Sequence, residues 1–133
     1  MLFRSGSLST IHANSARDAL TRLETMVLMA GISIPERAIR EWICSALDLI
    51  VQLARMSDGT RKVVAISEII GMEGNVITTQ DIFIFEKEGV NELGMVVGHH
   101  RATGIRPKFA SRLKTAGILL PSELFEESAE AEV

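Results

Sequence analysis

The run Gly6-Ser7-Leu8-Ser9-Thr10-Ile11-His12-Ala13-Asn14-Ser15, followed at once by a helical pattern, decides how the rest of the chain is read. Ser7 to Ile11 reads as a short β segment, closed by the polar cluster Thr10, His12, Asn14 and Ser15. From Ala16 the apolar residues Ala19, Leu20, Leu23, Met26, Val27 and Ala30 recur at three- and four-residue steps, with Asn14 or Ser15 as the cap and Gly31 as the stop. A polar cluster at the carboxyl end of a strand is where α/β sheets generally put their ligands, which makes His12 the first candidate site residue. By local chemistry alone a single histidine at a strand end is more often a capping or structurally bonded residue than a catalytic one.

Outward from this corner, Pro35 suits the first turn of a second helix with the face Ile39, Trp42, Ile43, Ala46 and Leu47. Glu36 with Arg40 and Arg37 with Glu41 stand four residues apart, placed to pair on its outside. The period then changes. Asp48 to Ala54 and Lys62 to Ile70 are rich in β-branched residues and flank Asp58-Gly59, the signature of a β-hairpin. A third strand, Val76 to Phe85, follows the Gly74-Asn75 turn, and another apolar run, Met95 to Val97, follows Gly89 to Gly94. Pro107 opens a short helix through Phe109, Leu113 and Ala116, stopped by Gly117 before Pro121 and an acidic end.

With 133 residues the chain fits one domain or part of one. Its 47% apolar content is globular and slightly rich for a freely soluble monomer, which points to an interface. A formal net charge of -3 leaves no overall basic field, so nonspecific nucleic-acid binding is not expected. Arg101, Arg106, Lys108, Arg112 and Lys114 form only a local basic patch, for which a solvated helix face is the plainer account. The single cysteine, Cys44, cannot form an internal disulfide and fits a reducing, cytoplasmic setting. No stretch approaches the roughly 20 apolar residues of a spanning helix, so membrane association is expected through partners and not by direct insertion. His99 and His100 fall on opposite faces of a strand and so cannot share a metal without a bend, and no metal site is expected. Gly71-Met72-Glu73-Gly74 is not followed by a helix and reads as a turn, not a phosphate loop.

The run Gly6 to Ser15, with Ala19-Leu20 and Arg22-Leu23-Glu24, resembles the histidine box of the secretion ATPase superfamily, in the form seen in CpaF-like proteins of Flp pilus assembly. The resemblance continues through Ala38-Ile39-Arg40, Asp48 to Gln52, Asp58-Gly59, Glu68 to Gly74, Asp81-Ile82-Phe83 and Ala102 to Pro107, and so covers about residues 6 to 125. It implies that His12 lies near the γ-phosphate of ATP, where an imidazole can donate a hydrogen bond or orient the attacking water. Thr10 and Asn14 are then placed to hold the ring. Arg22 is a candidate for nucleotide sensing or subunit contact, against the plainer reading of a surface partner for Asp18. The resemblance further implies a homo-hexamer on the cytoplasmic face of the inner membrane, docked on platform proteins of a type II/IV secretion or pilus machine, with ATP and Mg2+ as cofactors of the full-length protein.

The departures are as informative. The family's usual second histidine, just ahead of Gly-Ser-Leu, is replaced by Arg4, and residues 1 to 5 are expected to be a non-matching leader left by truncation. No Gly-x-x-x-x-Gly-Lys-Ser/Thr run occurs anywhere, and no acidic Walker B strand precedes the histidine. The expected fold is therefore α/β: residues 6 to 125 as the C-terminal part of a RecA-like P-loop NTPase core, with an antiparallel extension and a short C-terminal helix, then a disordered acidic tail over 126 to 133. The expected function is part of an ATPase motor, inactive alone. The alternative is a non-enzymatic interaction domain that docks on a complete ATPase or on an inner-membrane platform.

Overall fold

The computed structural model describes residues 6–127. Its first regular element is helix α1, Ala16–Met29, and Ser15 is its cap, the side-chain oxygen accepting from the Asp18 N–H at 3.0 Å. Such a cap is worth about 1 kcal/mol because it satisfies an amide that the helix itself cannot. Helix α2, Glu36–Ala46, starts at Pro35 as the sequence predicts. Both expected outer pairs form, Arg37 with Glu41 at 3.1 Å and Arg40 with Glu36 at 3.5 Å.

Four strands follow: β1, Leu49–Arg55; β2, Arg61–Glu73; β3, Val76–Val90; and β4, Val96–Ala102. They form one antiparallel meander in the order β1-β2-β3-β4. The two turns predicted from sequence are present, and Gly59 (φ 86°) and Gly74 (φ 60°) adopt the left-handed backbone there that residues with a Cβ resist. The third strand is longer than Val76 to Phe85 because its far half pairs with β4 and not with β2. Helix α3, Phe109–Thr115, and a 3-10 turn, Ser122–Phe125, complete the chain.

Adjacent residues of β2 show how the layers are arranged, since successive side chains of a strand point to opposite faces. Ile69 joins Leu20, Ile39, Ile43 and Ile77 in the buried cluster beneath α1 and α2. Its neighbour Glu68, only 3% exposed, turns the other way and accepts from the amides of Lys108 and Phe109 at 2.8 and 2.9 Å, where α3 begins. Gln80 Nε2 donates to the same carboxylate at 3.0 Å. Helices α1 and α2 thus pack on one face, and on the other a buried acid with three donors anchors the start of α3.

Two expectations are corrected, the strand at Ser7 to Ile11 and the packed position of Trp42, and the fold class holds in its coarser form. Ser7 to Ile11 is not a strand: residues 6–13 have no regular structure, because no described strand lies alongside to complete a ladder. The sheet among the described residues is an antiparallel meander with no parallel strand, so the mixed helix-and-sheet class holds without showing a RecA-like core. Trp42, expected on the packed face of α2, is 56% exposed and instead walls an apolar groove of about 240 Å³ with Leu23, Val27, Ile43 and Leu47. Of the expected disordered tail, Glu126 and Glu127 lie among the described residues, and Glu127 pairs with Arg101 at 3.2 Å. Residues 128–133 and the leader 1–5 lie outside the described residues.

Candidate functional site

The histidine segment reaches the fold through its backbone. His12 and residues 6–10 are exposed, and Ala13 is the point at which the segment meets the sheet, its carbonyl accepting from Gln52 Nε2 of β1 at 3.1 Å. Two residues later Ser15 caps α1, and Arg17 reaches the Ile77 carbonyl at 3.3 Å, which fixes the start of the helix against β3. His12 therefore stands at the end of a tied stretch and the beginning of a free one.

Asp18 joins two of the candidates. Its Oδ2 accepts from the Asn14 backbone N–H at 2.9 Å and from Arg22 Nε at 3.3 Å. Arg22 is thus the surface partner of Asp18 that helix spacing predicts, with its guanidinium side chain half exposed at 51%. Thr10 is exposed, and among the described residues neither it nor the Asn14 side chain is bonded to the imidazole. Asn14 contributes through its backbone amide, and Thr10 lies in the exposed stretch ahead of His12.

The same layer contains a stronger polar contact that sequence reasoning missed. Arg40 of α2 grips Glu24 of α1 with two parallel hydrogen bonds, of 3.0 and 2.9 Å, and donates to the Asn75 carbonyl in the β2–β3 turn at 2.9 Å. The hydrogen bonds that Arg40 donates to the Glu24 carboxylate are the main reason the Arg40 pKa is raised above the ordinary arginine value, against the opposing effect of desolvation. Arg22-Leu23-Glu24 and Ala38-Ile39-Arg40 are part of the resemblance, but nothing in their spacing shows that they meet. Cys44 lies against the core, and burial pushes its thiol pKa up, which disfavours the reactive thiolate.

Elsewhere, His99 is bonded to Glu88 at 2.8 Å while His100 reaches the Val63 carbonyl at 2.7 Å, so the two rings serve different sides of β4. No group of three or more potential metal ligands occurs among the described residues, and no helix there is long and apolar enough to cross a membrane. In the basic patch, Arg101 is taken up by Glu86 and Glu127, and Arg112 by Asp48 at 2.6 Å.

These residues do not fit a nucleotide triphosphate on their own. The imidazole is exposed, the candidate guanidinium of Arg22 is paired with Asp18, and the sequence has no glycine-rich loop with its lysine to cradle phosphates.

A stretch of the chain is 38% identical over 69 residues to a conjugal transfer protein, TrbB, of Rhizobium radiobacter. That match takes in 52% of the present chain and only 19% of the relative's length, so the chain spans about a fifth of it. The family described as Type II/IV secretion system protein matches residues 5–108, a range that contains the histidine segment, α1, α2 and the whole sheet. The chain belongs to the type II/IV secretion system protein family.

Proposed function

We propose that this chain forms the histidine-bearing part of an ATP-hydrolysing secretion motor of the CpaF type, and that His12 contacts the γ-phosphate when the rest of the motor supplies the nucleotide site. The observation that carries this reading is the family match across residues 5–108, combined with an exposed imidazole at the tied end of an otherwise free segment. An imidazole held this way suits donation to a phosphate oxygen or to the attacking water. In the complete protein the partners are five further copies in a ring, ATP with Mg2+, and platform proteins at the cytoplasmic side of an inner membrane. Asn14 and Arg22, joined through Asp18, form the rim of the site and carry nucleotide sensing or subunit contact.

The chain alone is inactive on this account, because no residue run in it can cradle the phosphates. Incubating the purified chain with ATP and Mg2+ tests that directly, and no phosphate release is expected. Magnesium-dependent turnover that disappears in His12→Ala would overturn the division of labour proposed here.

A further inference from the structure

We propose that Gln52 is a positioning residue for His12, acting by holding the Ala13 carbonyl against β1; this rests on the reading of His12 given above. The amide nitrogen of Gln52 donates to the carbonyls of Ala13 and Leu53, both at 3.1 Å. Both partners can only accept, so the orientation of the side-chain amide is set by its surroundings: nitrogen inward, with one N–H for each carbonyl. The contact with Ala13 joins residues 39 apart in sequence and is partly buried. It ties the residue directly after His12, whereas the segment on the other side, residues 6–10, is exposed.

The sheet is irregular at this point. Gln52 faces Ala65 but Leu53 faces Val63, so Val64 is left over as a bulge in β2 directly opposite the Gln52–Leu53 step. Bulges increase the local twist and re-aim side chains, and they are common beside functional segments. A regular ladder would keep Gln52 in step with its neighbours; the bulge accompanies its reach to Ala13. Without this tether, the position of the imidazole would depend on the free segment and on the local Asn14–Asp18 contact alone.

The experiment is backbone NMR on the purified chain with Gln52→Glu, Gln52→Ser and Gln52→Lys. Glutamate has the same shape but turns an acceptor toward two acceptors, serine is too short to reach, and lysine still donates. The Ala13 amide order parameter is expected to fall from about 0.85 to below about 0.6 in the Glu and Ser variants, and to stay high with Lys. The His12 backbone amide should lose order along with that of Ala13 in the first two only, while Ala19 and Leu20 remain ordered in all three. An unchanged Ala13 and His12 in the Ser variant, or equal loosening with Lys, overturns the proposal. No nucleotide enters the measurement, so its outcome is independent of whether His12 serves an ATPase.

Discussion

Asp58, at the tip of the first hairpin, accepts a hydrogen bond from the backbone N–H of Val96 at 2.8 Å and so clasps the β1–β2 turn to the start of β4. The clasp is needed because β2 and β3 pair only from Ala65 and Ile84 onward, leaving the upper halves of the two hairpins without a shared ladder. His100 reaching the Val63 carbonyl and the Lys62 ammonium 5.7 Å from the Phe85 ring centre bridge the same gap. The Thr60 hydroxyl, the Val96 and Thr60 amides and the Lys62 charge together hold the Asp58 carboxyl down at about 2, below its ordinary 3.8.

That depression predicts the acid behaviour of the fold. A carboxylate with a lowered folded-state pKa stabilises the native state above its unfolded pKa, and the stabilisation is lost as pH falls through the folded value. Thermal melts of the chain should therefore fall between about pH 4 and about pH 2. Asp58→Ala should lower the melting temperature at pH 7 and flatten that part of the profile; a variant with the parental acid slope would remove Asp58 as its source.

Gly98 is required where β3 and β4 approach. A Cβ built there would collide with the Glu86 carbonyl oxygen and lie 2.7 Å from the Phe85 ring, whereas one at Gly89 meets nothing within 4 Å. Gly98→Ala should cost about 1–3 kcal/mol in urea unfolding, as overpacked sites do. Gly89→Ala should be neutral or gain up to about 1 kcal/mol from the less flexible unfolded chain. Equal effects at the two positions would contradict the close approach.

Ile39 is fully buried at 0% exposure between α1, α2 and the sheet, so Ile39→Ala should cost about 2–5 kcal/mol. Trp42, three residues later, stands half in water, and its fluorescence should be red-shifted and readily quenched by acrylamide in the folded chain. A blue-shifted, protected emission would mean that the groove beside it is covered in solution.

Arg22→Ala should change stability by no more than about 1 kcal/mol, because its partner Asp18 is reached from an exposed helix face. A large loss of turnover from the same change within an assembled motor would then report nucleotide sensing or subunit contact and not folding. Loss of stability of several kcal/mol would instead make Arg22 a structural residue.

Much of this fold is legible in the sequence because local rules decide it. Ser15, Gly31 and the apolar spacing between them give α1, and Asp58-Gly59 and Gly74-Asn75 give two of the three hairpin turns. The expected strand at Ser7 to Ile11 fails for a non-local reason: its pattern is that of a strand, but a strand exists only where a neighbour completes its hydrogen bonds. Contacts between distant residues were equally hidden. Glu68 looks like an ordinary polar residue in a strand until α3 returns to donate to it, and Gln52 acquires its link to Ala13 only when β1 is laid beside the histidine segment. His12 itself was found through resemblance, since neither spacing nor charge distinguishes it from a capping histidine.

The most direct test of the central claim is steady-state ATP hydrolysis by a secretion ATPase that carries its own phosphate-binding loop and has residues 6–127 of this chain in place of its matching stretch. With His12 present the hybrid should turn over ATP, and His12→Ala should lower kcat by about 10²–10³-fold with little change in KM, the loss typical of removing one positioned donor to developing charge. An active hybrid in which His12→Ala leaves kcat unchanged would contradict the account.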